Sequence, residues 1–142
     1  MNDSGLGDVR WKQRFDNFNR AFLLLREVQE RGVDSLSPME REGAVQRFEF
    51  AFELAWKTLK DYLEWRGIVV RPVTPRDVIK AAFSAGLLED AQVWIDMMLH
   101  RNLLFHTYNS QTFDAVLHVV TSRYFTAFDR LHEFFLLEVV KG

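Results

Sequence analysis

The sequence contains no cysteine and only three prolines among its 142 residues. Without cysteine, the chain can form no disulfide, no thiolate zinc site and no cysteine nucleophile. Its apolar runs are only a few residues long, whereas a membrane-spanning helix needs about 20 apolar residues. The N-terminal segment has acidic residues and no apolar stretch typical of a signal peptide. We therefore expect no membrane segment and a cytoplasmic location.

Neither sign of charge dominates the sequence. Lysine and arginine total 18 and acidic residues total 20, which gives a net charge of −2 and argues against non-specific nucleic-acid binding through bulk charge. The hydrophobic fraction of 48% is typical of a globular protein, and the length fits a single domain over residues 1–142. Thirteen phenylalanines and four tryptophans carry more apolar area than one small bundle easily covers, which favours self-association.

Helix start and stop signals divide the chain into five predicted helices. Ser37 and Pro38 followed by Glu40 form a capping box, and Thr74 and Pro75 begin another helix by the same logic. No segment alternates polar and apolar residues as a strand would. The predicted helices cover residues 11–31, 38–66, 75–85, from 89 or 90 to 108, and about 111–140. The sequence thus predicts an all-α, antiparallel bundle of four to five helices, which we expect to be a homodimer or a higher oligomer.

The second predicted helix carries a narrow polar stripe on an otherwise apolar surface. At about 100° per residue its members fall on one side. They are Gln46, Glu49, Glu53, Lys57, Lys60 and Glu64. One interpretation is a solvated stripe held by Glu–Lys pairs one turn apart. The other is that Glu49 or Glu53 faces a cleft and holds a cation from another helix.

Arg101 lies in the middle of an apolar arc of the fourth predicted helix. Leu99 and Leu103 make the opposite side apolar as well. A helix of this kind is buried or lies in an interface. A guanidinium group there costs several kcal/mol unless it is paired and hydrogen-bonded. A carboxylate such as Glu49 or Glu53, a bound phosphate, or polar groups of a second protomer could compensate it.

His106 follows Arg101 by five residues, which places it about 140° away around a regular helix. The two side chains cannot converge on one small substrate from a single straight helix. Convergence requires a distorted helix end or contributions from two protomers. Asp96 and His100 lie one turn apart, but two ligands make a poor metal site. We therefore expect no metal and no cofactor.

The segment from Arg101 to Tyr108, RNLLFHTY, resembles the R-x-x-x-x-H-x-Y signature of HEPN-type bundles. Asn102 supplies the polar residue that follows the arginine in that signature. Residues 46–63 resemble the central helix of the nucleotidyltransferase substrate-binding protein family. Residues 75–79, residues 85–87 and Trp94 ahead of the motif are also similar to that family. The resemblance covers roughly residues 10–135.

Membership of that family implies a small helical bundle that dimerises and works beside a separately encoded minimal nucleotidyltransferase. Relatives with an assigned activity are toxins of toxin–antitoxin pairs, which act as metal-independent ribonucleases and have the nucleotidyltransferase as antitoxin. By position, the resemblance implies that Arg101 binds the scissile phosphate and that His106 transfers protons during attack by the RNA 2′-hydroxyl. It also implies that Asn102 orients the site and that the partner attaches AMP to the Tyr108 hydroxyl.

Three functions are compatible with these residues. The first is a dimeric ribonuclease toxin that its nucleotidyltransferase partner silences. The second is a non-catalytic subunit that presents a substrate or a nucleotide to that partner. The third is an interaction scaffold in which Arg101 has only a structural role. His106 separates the first from the second, because a binding subunit needs a cation for phosphate but no proton-transfer group.

Overall fold

The computed structural model describes residues 3–141, which are mostly helical and contain no β-strand. The helices are α1 (Asp3–Arg31), α2 (Pro38–Trp65), α3 (Pro75–Ser84), α4 (Ala91–His106), α5 (Ser110–Val119) and α6 (Phe125–Lys141). A short 3-10 turn (Val33–Ser35) follows α1, and a π-helical segment (Val120–Tyr124) joins α5 to α6. The all-α prediction is confirmed. Within the described range, no helix is long and apolar enough to cross a membrane.

Side-chain caps begin four of these helices at the predicted places. The Ser37 hydroxyl accepts from the Glu40 amide at 3.1 Å, and the Glu40 carboxylate accepts from the Ser37 amide at 2.8 Å, which completes the capping box. Thr74 caps α3 in a similar way, and the side chains of Asp90 and Asn109 cap α4 and α5. Each cap satisfies backbone amides that a helix start leaves without partners.

The four long helical stretches alternate in direction. Gly7 lies against Trp65 while Arg31 pairs with Glu40 at 2.8 Å, so α1 and α2 are antiparallel. The α4 helix runs antiparallel to both α2 and α6, and α6 runs antiparallel to α1. The Arg101–Glu53 and Tyr108–Glu42 contacts fix the direction of α4 relative to α2. The Trp94–Phe128 and His100–Tyr124 contacts fix its direction relative to α6. The Trp11–Phe135 and Phe22–Phe125 contacts fix the direction of α6 relative to α1. The bundle is therefore up-and-down, as short connections favour.

Aromatic side chains fill the centre of the bundle. Trp11 packs edge-on against Tyr62 with ring centroids 5.0 Å apart, and Phe48 stacks on Tyr124 at 5.9 Å. Most of the phenylalanines are buried, so the bundle itself covers much of the aromatic surplus that the sequence shows. Three phenylalanines are exceptions, with 64%, 48% and 63% of their surfaces exposed: Phe50, Phe83 and Phe105. Large aromatic rings dominate the energetics of such a core.

The π-helical segment interrupts what the sequence predicts as one continuous fifth helix. The Gln29 side-chain amide donates to the Thr121 carbonyl at 3.0 Å, so α1 satisfies a backbone group of the widened turn. Two adjacent side chains of the segment reach the same face of α4. Arg123 pairs with Asp96 at 2.7 Å and Tyr124 bonds to His100 at 2.6 Å.

Candidate functional site

The motif from Arg101 to Tyr108 spans the end of a helix. Arg101 and Asn102 lie within α4, and His106 is its last residue. Thr107 is extended, and the next helix begins at Ser110. The first half of the motif is therefore held by α4, whereas Tyr108 belongs to the connection between α4 and α5.

Arg101 is the most firmly held residue of the motif. Its Nη1 donates to the Glu53 carboxylate at 2.6 Å, and its Nε donates to the Asn102 side-chain oxygen at 3.2 Å. The guanidinium carbon lies 5.2 Å from the ring centre of Phe52 and 5.0 Å from that of Phe105. Only 12% of the side chain is exposed. The prediction that Arg101 requires a compensating partner is confirmed, and Glu53 supplies the charge.

Glu53 anchors a small network on α2. Besides Arg101, its carboxylate accepts from the Trp56 indole at 3.1 Å and pairs with Lys57 at 3.3 Å. Burial opposes ionisation, but these two hydrogen bonds and the charges of Arg101 and Lys57 hold the pKa of Glu53 below its usual value. Glu53 therefore pairs with Lys57 one turn along its own helix, as the first interpretation of the polar stripe expects, and also binds a cation from α4, as the second expects.

Glu49 lies one turn before Glu53 and is half-buried. Burial raises the pKa of Glu49, and the positive charge of Arg101 opposes that rise. Two carboxylates on α2 thus act electrostatically on one guanidinium. The direct ion pair with Arg101 is made by Glu53, at 2.6 Å.

His106 and Asn102 lie on the exposed side of α4, away from the core. Since α4 is helical from Ala91 to His106, Arg101 and His106 point about 140° apart around it. One protomer does not bring the two side chains together. Leu99, Leu103 and Phe105 are also exposed along this half of α4, by 49%, 44% and 63%. Of the two expectations for α4, burial or an interface, burial within one protomer is therefore incomplete along this half of the helix.

Tyr108 is 82% exposed, and two contacts position its side chain. Its hydroxyl donates to the Glu42 carboxylate at 2.7 Å, and its ring packs edge-on against Phe113 at 5.3 Å. The hydrogen bond to Glu42 and the charge of that carboxylate raise the pKa of Tyr108. Glu42 precedes Glu53 by eleven residues on α2, which is about 16 Å along the helix axis. The Tyr108 hydroxyl therefore lies well away from the Arg101 guanidinium in one protomer.

Glu42 is a residue that the sequence pattern misses. It comes from the first turns of α2 and is separated from Tyr108 by 66 positions in the chain. Helix periodicity relates residues three or four positions apart, so no spacing rule connects these two. An exposed glutamate near a helix start has an ordinary role beside the helix dipole, and that role gives no reason to single it out.

Asp96 and His100, the two residues spaced like metal ligands on α4, instead bind side chains of the π-helical segment. Asp96 is bound to Arg123 and Gln92, and His100 is bound to Tyr124. Burial raises the pKa of Tyr124 to about 12. Among residues 3–141, no three histidine, aspartate or glutamate side chains are grouped as a metal ion would require. This cluster is explained by helix packing.

Comparisons with known proteins agree with the resemblance in the motif and in α2. The family model described as "nucleotidyltransferase substrate binding protein like" matches residues 13–136. A Haemophilus influenzae protein named "Probable ribonuclease HepT" is 32% identical over 77 residues, which cover 52% of this chain and 53% of that protein. The chain thus matches only about half the length of that relative.

A crystal structure of a Thermus thermophilus protein shares the fold. That protein is 33% identical to this chain, with a TM-score of 0.71, and the alignment covers 80% of this chain and 94% of the Thermus chain. The helical bundle and its sequence pattern therefore recur together in the Thermus protein. On the family match over residues 13–136, this chain belongs to the nucleotidyltransferase substrate-binding protein family.

Proposed function

We propose that this chain is the HEPN-type subunit of a two-protein nucleotidyltransferase system and acts as a metal-independent endoribonuclease toxin. In this proposal a separately encoded minimal nucleotidyltransferase is the antitoxin and attaches AMP to Tyr108. The observation that carries the proposal is the state of Arg101. An arginine that is 12% exposed, clamped by two rings and fixed by Glu53, lies within a motif whose histidine and tyrosine are open to solvent.

Arg101 has the chemical capacity to bind a phosphate. A guanidinium carries five N–H donors, and the bonds to Glu53 and Asn102 use two of them. The remaining donors can bind phosphate oxygens where negative charge develops during strand cleavage. Glu53, Asn102 and the rings of Phe52 and Phe105 fix the position of the guanidinium, so little ordering is needed when RNA binds.

His106 would act as the proton-transfer group of the reaction. The RNA 2′-oxygen attacks the adjacent phosphorus, the bond from phosphorus to the 5′-oxygen breaks, and a 2′,3′-cyclic phosphate and a 5′-hydroxyl are formed. An imidazole can accept the proton of the 2′-hydroxyl or donate one to the leaving oxygen. This reaction consumes no cofactor and needs no metal ion.

A second copy of the chain would complete the site. Because Arg101 and His106 diverge on one helix, one active site would combine the arginine of one protomer with the histidine of its partner. The exposed Leu99, Leu103 and Phe105 flank the motif and offer apolar surface for a two-fold contact along α4. A dimer of this kind would place two copies of the motif in one groove.

The alternative function is a non-catalytic subunit that binds a substrate or a nucleotide for the nucleotidyltransferase. The divergence of Arg101 and His106 within one protomer favours this alternative, because a binding site needs the cation alone. The description of the matching family also names substrate binding. Both functions use the same fold and the same partner.

Cleavage of labelled RNA by the unmodified protein in EDTA distinguishes the two functions. Under the ribonuclease proposal, wild type cleaves RNA and His106→Ala loses at least about 100-fold in rate, as expected for loss of a general acid or base. His118→Ala removes another exposed histidine, on α5, and should cleave like wild type. Absence of cleavage by wild type whose mass shows an unmodified Tyr108 would refute the ribonuclease proposal for the RNAs tested.

A further inference from the structure

We propose that Glu42 is the proton acceptor for Tyr108 when AMP is transferred to that tyrosine. This inference rests on the proposed modification of Tyr108 and adds a catalytic residue that the chain itself supplies. It starts from one contact, in which the Tyr108 hydroxyl donates to a Glu42 carboxylate oxygen at 2.7 Å.

The contact is placed where a large reactant can reach it. Tyr108 and Glu42 line an open pocket of about 450 Å³ between the start of α2 and the start of α5. The other charged groups of the pocket, Arg41 and Asp114, are bound to each other at 3.0 Å. Glu42 is therefore the carboxylate positioned to take the proton, and the hydroxyl faces open space instead of protein core.

The transfer step balances with Glu42 as the base. The Tyr108 oxygen attacks the α-phosphorus of ATP, a bond forms between that oxygen and phosphorus, and the bond from the α-phosphorus to the bridging oxygen breaks. Pyrophosphate leaves with the electron pair of the broken bond. The phenolic proton moves to the Glu42 carboxylate, which later returns it to solvent. ATP and its magnesium ion enter with the nucleotidyltransferase.

The electrostatics of the pair explain why the proton must leave during the attack. The hydrogen bond to Glu42 and the negative charge of that carboxylate raise the pKa of Tyr108 and disfavour a free tyrosinate. At neutral pH the nucleophile is therefore the phenol, which is weak until its proton is removed. A carboxylate within hydrogen-bond distance can take the proton as the phosphorus–oxygen bond forms.

Glu42→Gln separates proton acceptance from positioning. The amide oxygen of glutamine can still accept the Tyr108 hydrogen bond, so the ring keeps its position, but the amide cannot accept a proton. The loss of one negative charge would also ease the approach of ATP. A slower reaction in this variant therefore cannot be attributed to charge or to a misplaced tyrosine.

The experiment measures the initial rate of AMP attachment by intact mass, using the full chain, its nucleotidyltransferase and Mg-ATP. Tyr108→Phe is the control without a nucleophile, and Glu133→Gln, an exposed charge change on α6, is the matched control. We expect Glu42→Gln to react about 100-fold more slowly than wild type near neutral pH. The deficit should narrow as the pH rises and Tyr108 ionises without help.

Three outcomes are distinguishable. A slow Glu42→Gln reaction that recovers at high pH supports the inference. Wild-type modification at Tyr108 with an equal rate in Glu42→Gln overturns the inference and leaves the proposed function standing. Absence of AMP on wild type, with a nucleotidyltransferase that is active by release of pyrophosphate, overturns the proposed modification of Tyr108 and this inference together.

Discussion

Replacing Glu53 by alanine removes the charge that holds Arg101 within the bundle. The Arg101 side chain is 12% exposed and that of Glu53 is 34% exposed, so the pair lies between a surface pair and a buried one. Exposed pairs contribute about 0–1 kcal/mol, whereas removing one partner of a buried pair costs about 3–5 kcal/mol. We therefore expect Glu53→Ala to lower the free energy of unfolding by about 2 kcal/mol.

Replacing Arg101 should lower the free energy of unfolding by less than replacing Glu53, because Glu53 keeps other partners when Arg101 is removed. Without Arg101, Glu53 keeps its contacts with Trp56 and Lys57. Arg101→Met also keeps an apolar chain between Phe52 and Phe105, and we expect a loss of about 1 kcal/mol. In the double variant the unpaired guanidinium is absent, so its loss should be about 1.5 kcal/mol, half of the sum of the single losses.

Urea denaturation followed by far-UV circular dichroism measures these three differences in one double-mutant cycle. Glu64→Ala is the matched control, since Glu64 is an exposed residue of α2 that pairs with Lys60 one turn away. That control should change stability by less than about 0.5 kcal/mol. A Glu53→Ala variant as stable as the control, with additive single and double losses, would refute the argument that Arg101 depends on Glu53.

Three further predictions concern capping, pH and the Tyr108 contact. Ser37→Ala removes half of a capping box and should cost about 1 kcal/mol in thermal unfolding, whereas an unchanged melting temperature would contradict that role. Burial lowers the pKa values of His100 and His132, so the unfolded chain binds protons first as the pH falls. Stability should therefore be retained above pH about 6.5 and decline below it, and a flat profile of unfolding free energy would contradict this. Glu42→Gln should lower the pKa of Tyr108, measured by ultraviolet or NMR titration, and an unchanged pKa would show that the contact is absent in solution.

The starts of the helices could be predicted because they depend on side-chain caps close by in the sequence. A cap acts within three residues of its own position, so Ser37, Thr74, Asp90 and Asn109 mark helix starts without knowledge of the fold. The π-helical segment has a weaker signal, the run of β-branched and hydroxyl residues from 119 to 122, which lowers helix propensity. The segment's Thr121 carbonyl accepts a hydrogen bond from Gln29 of α1, a contact that no local pattern includes.

The candidate site could be predicted only in part, because its contacts join helices that are distant in the sequence. The apolar surroundings of Arg101 predict a compensating carboxylate, and the stripe on α2 narrows the choice to Glu49 or Glu53. Deciding between them requires the relative position of α2 and α4 along their axes, which packing of Trp94 and Phe52 in the core determines. The same positioning brings Glu42 to Tyr108, and the sequence contains no local trace of it.

The residues of the motif differ in exposure, and the difference matches the roles they have in the proposed reaction. Arg101, which binds the phosphate in the proposed reaction, is fixed by a carboxylate and two rings. His106 and Tyr108 are exposed, as groups must be if a second protomer and a nucleotidyltransferase have to reach them. Because the Tyr108 hydroxyl lies about 16 Å along α2 from the Arg101 contact, AMP attached there would cover the phosphate site of its own protomer only by extending along the helix. Under the proposed function, inhibition by AMP thus requires either that extension or a two-fold contact that brings the Tyr108 of one protomer close to the Arg101 of its partner.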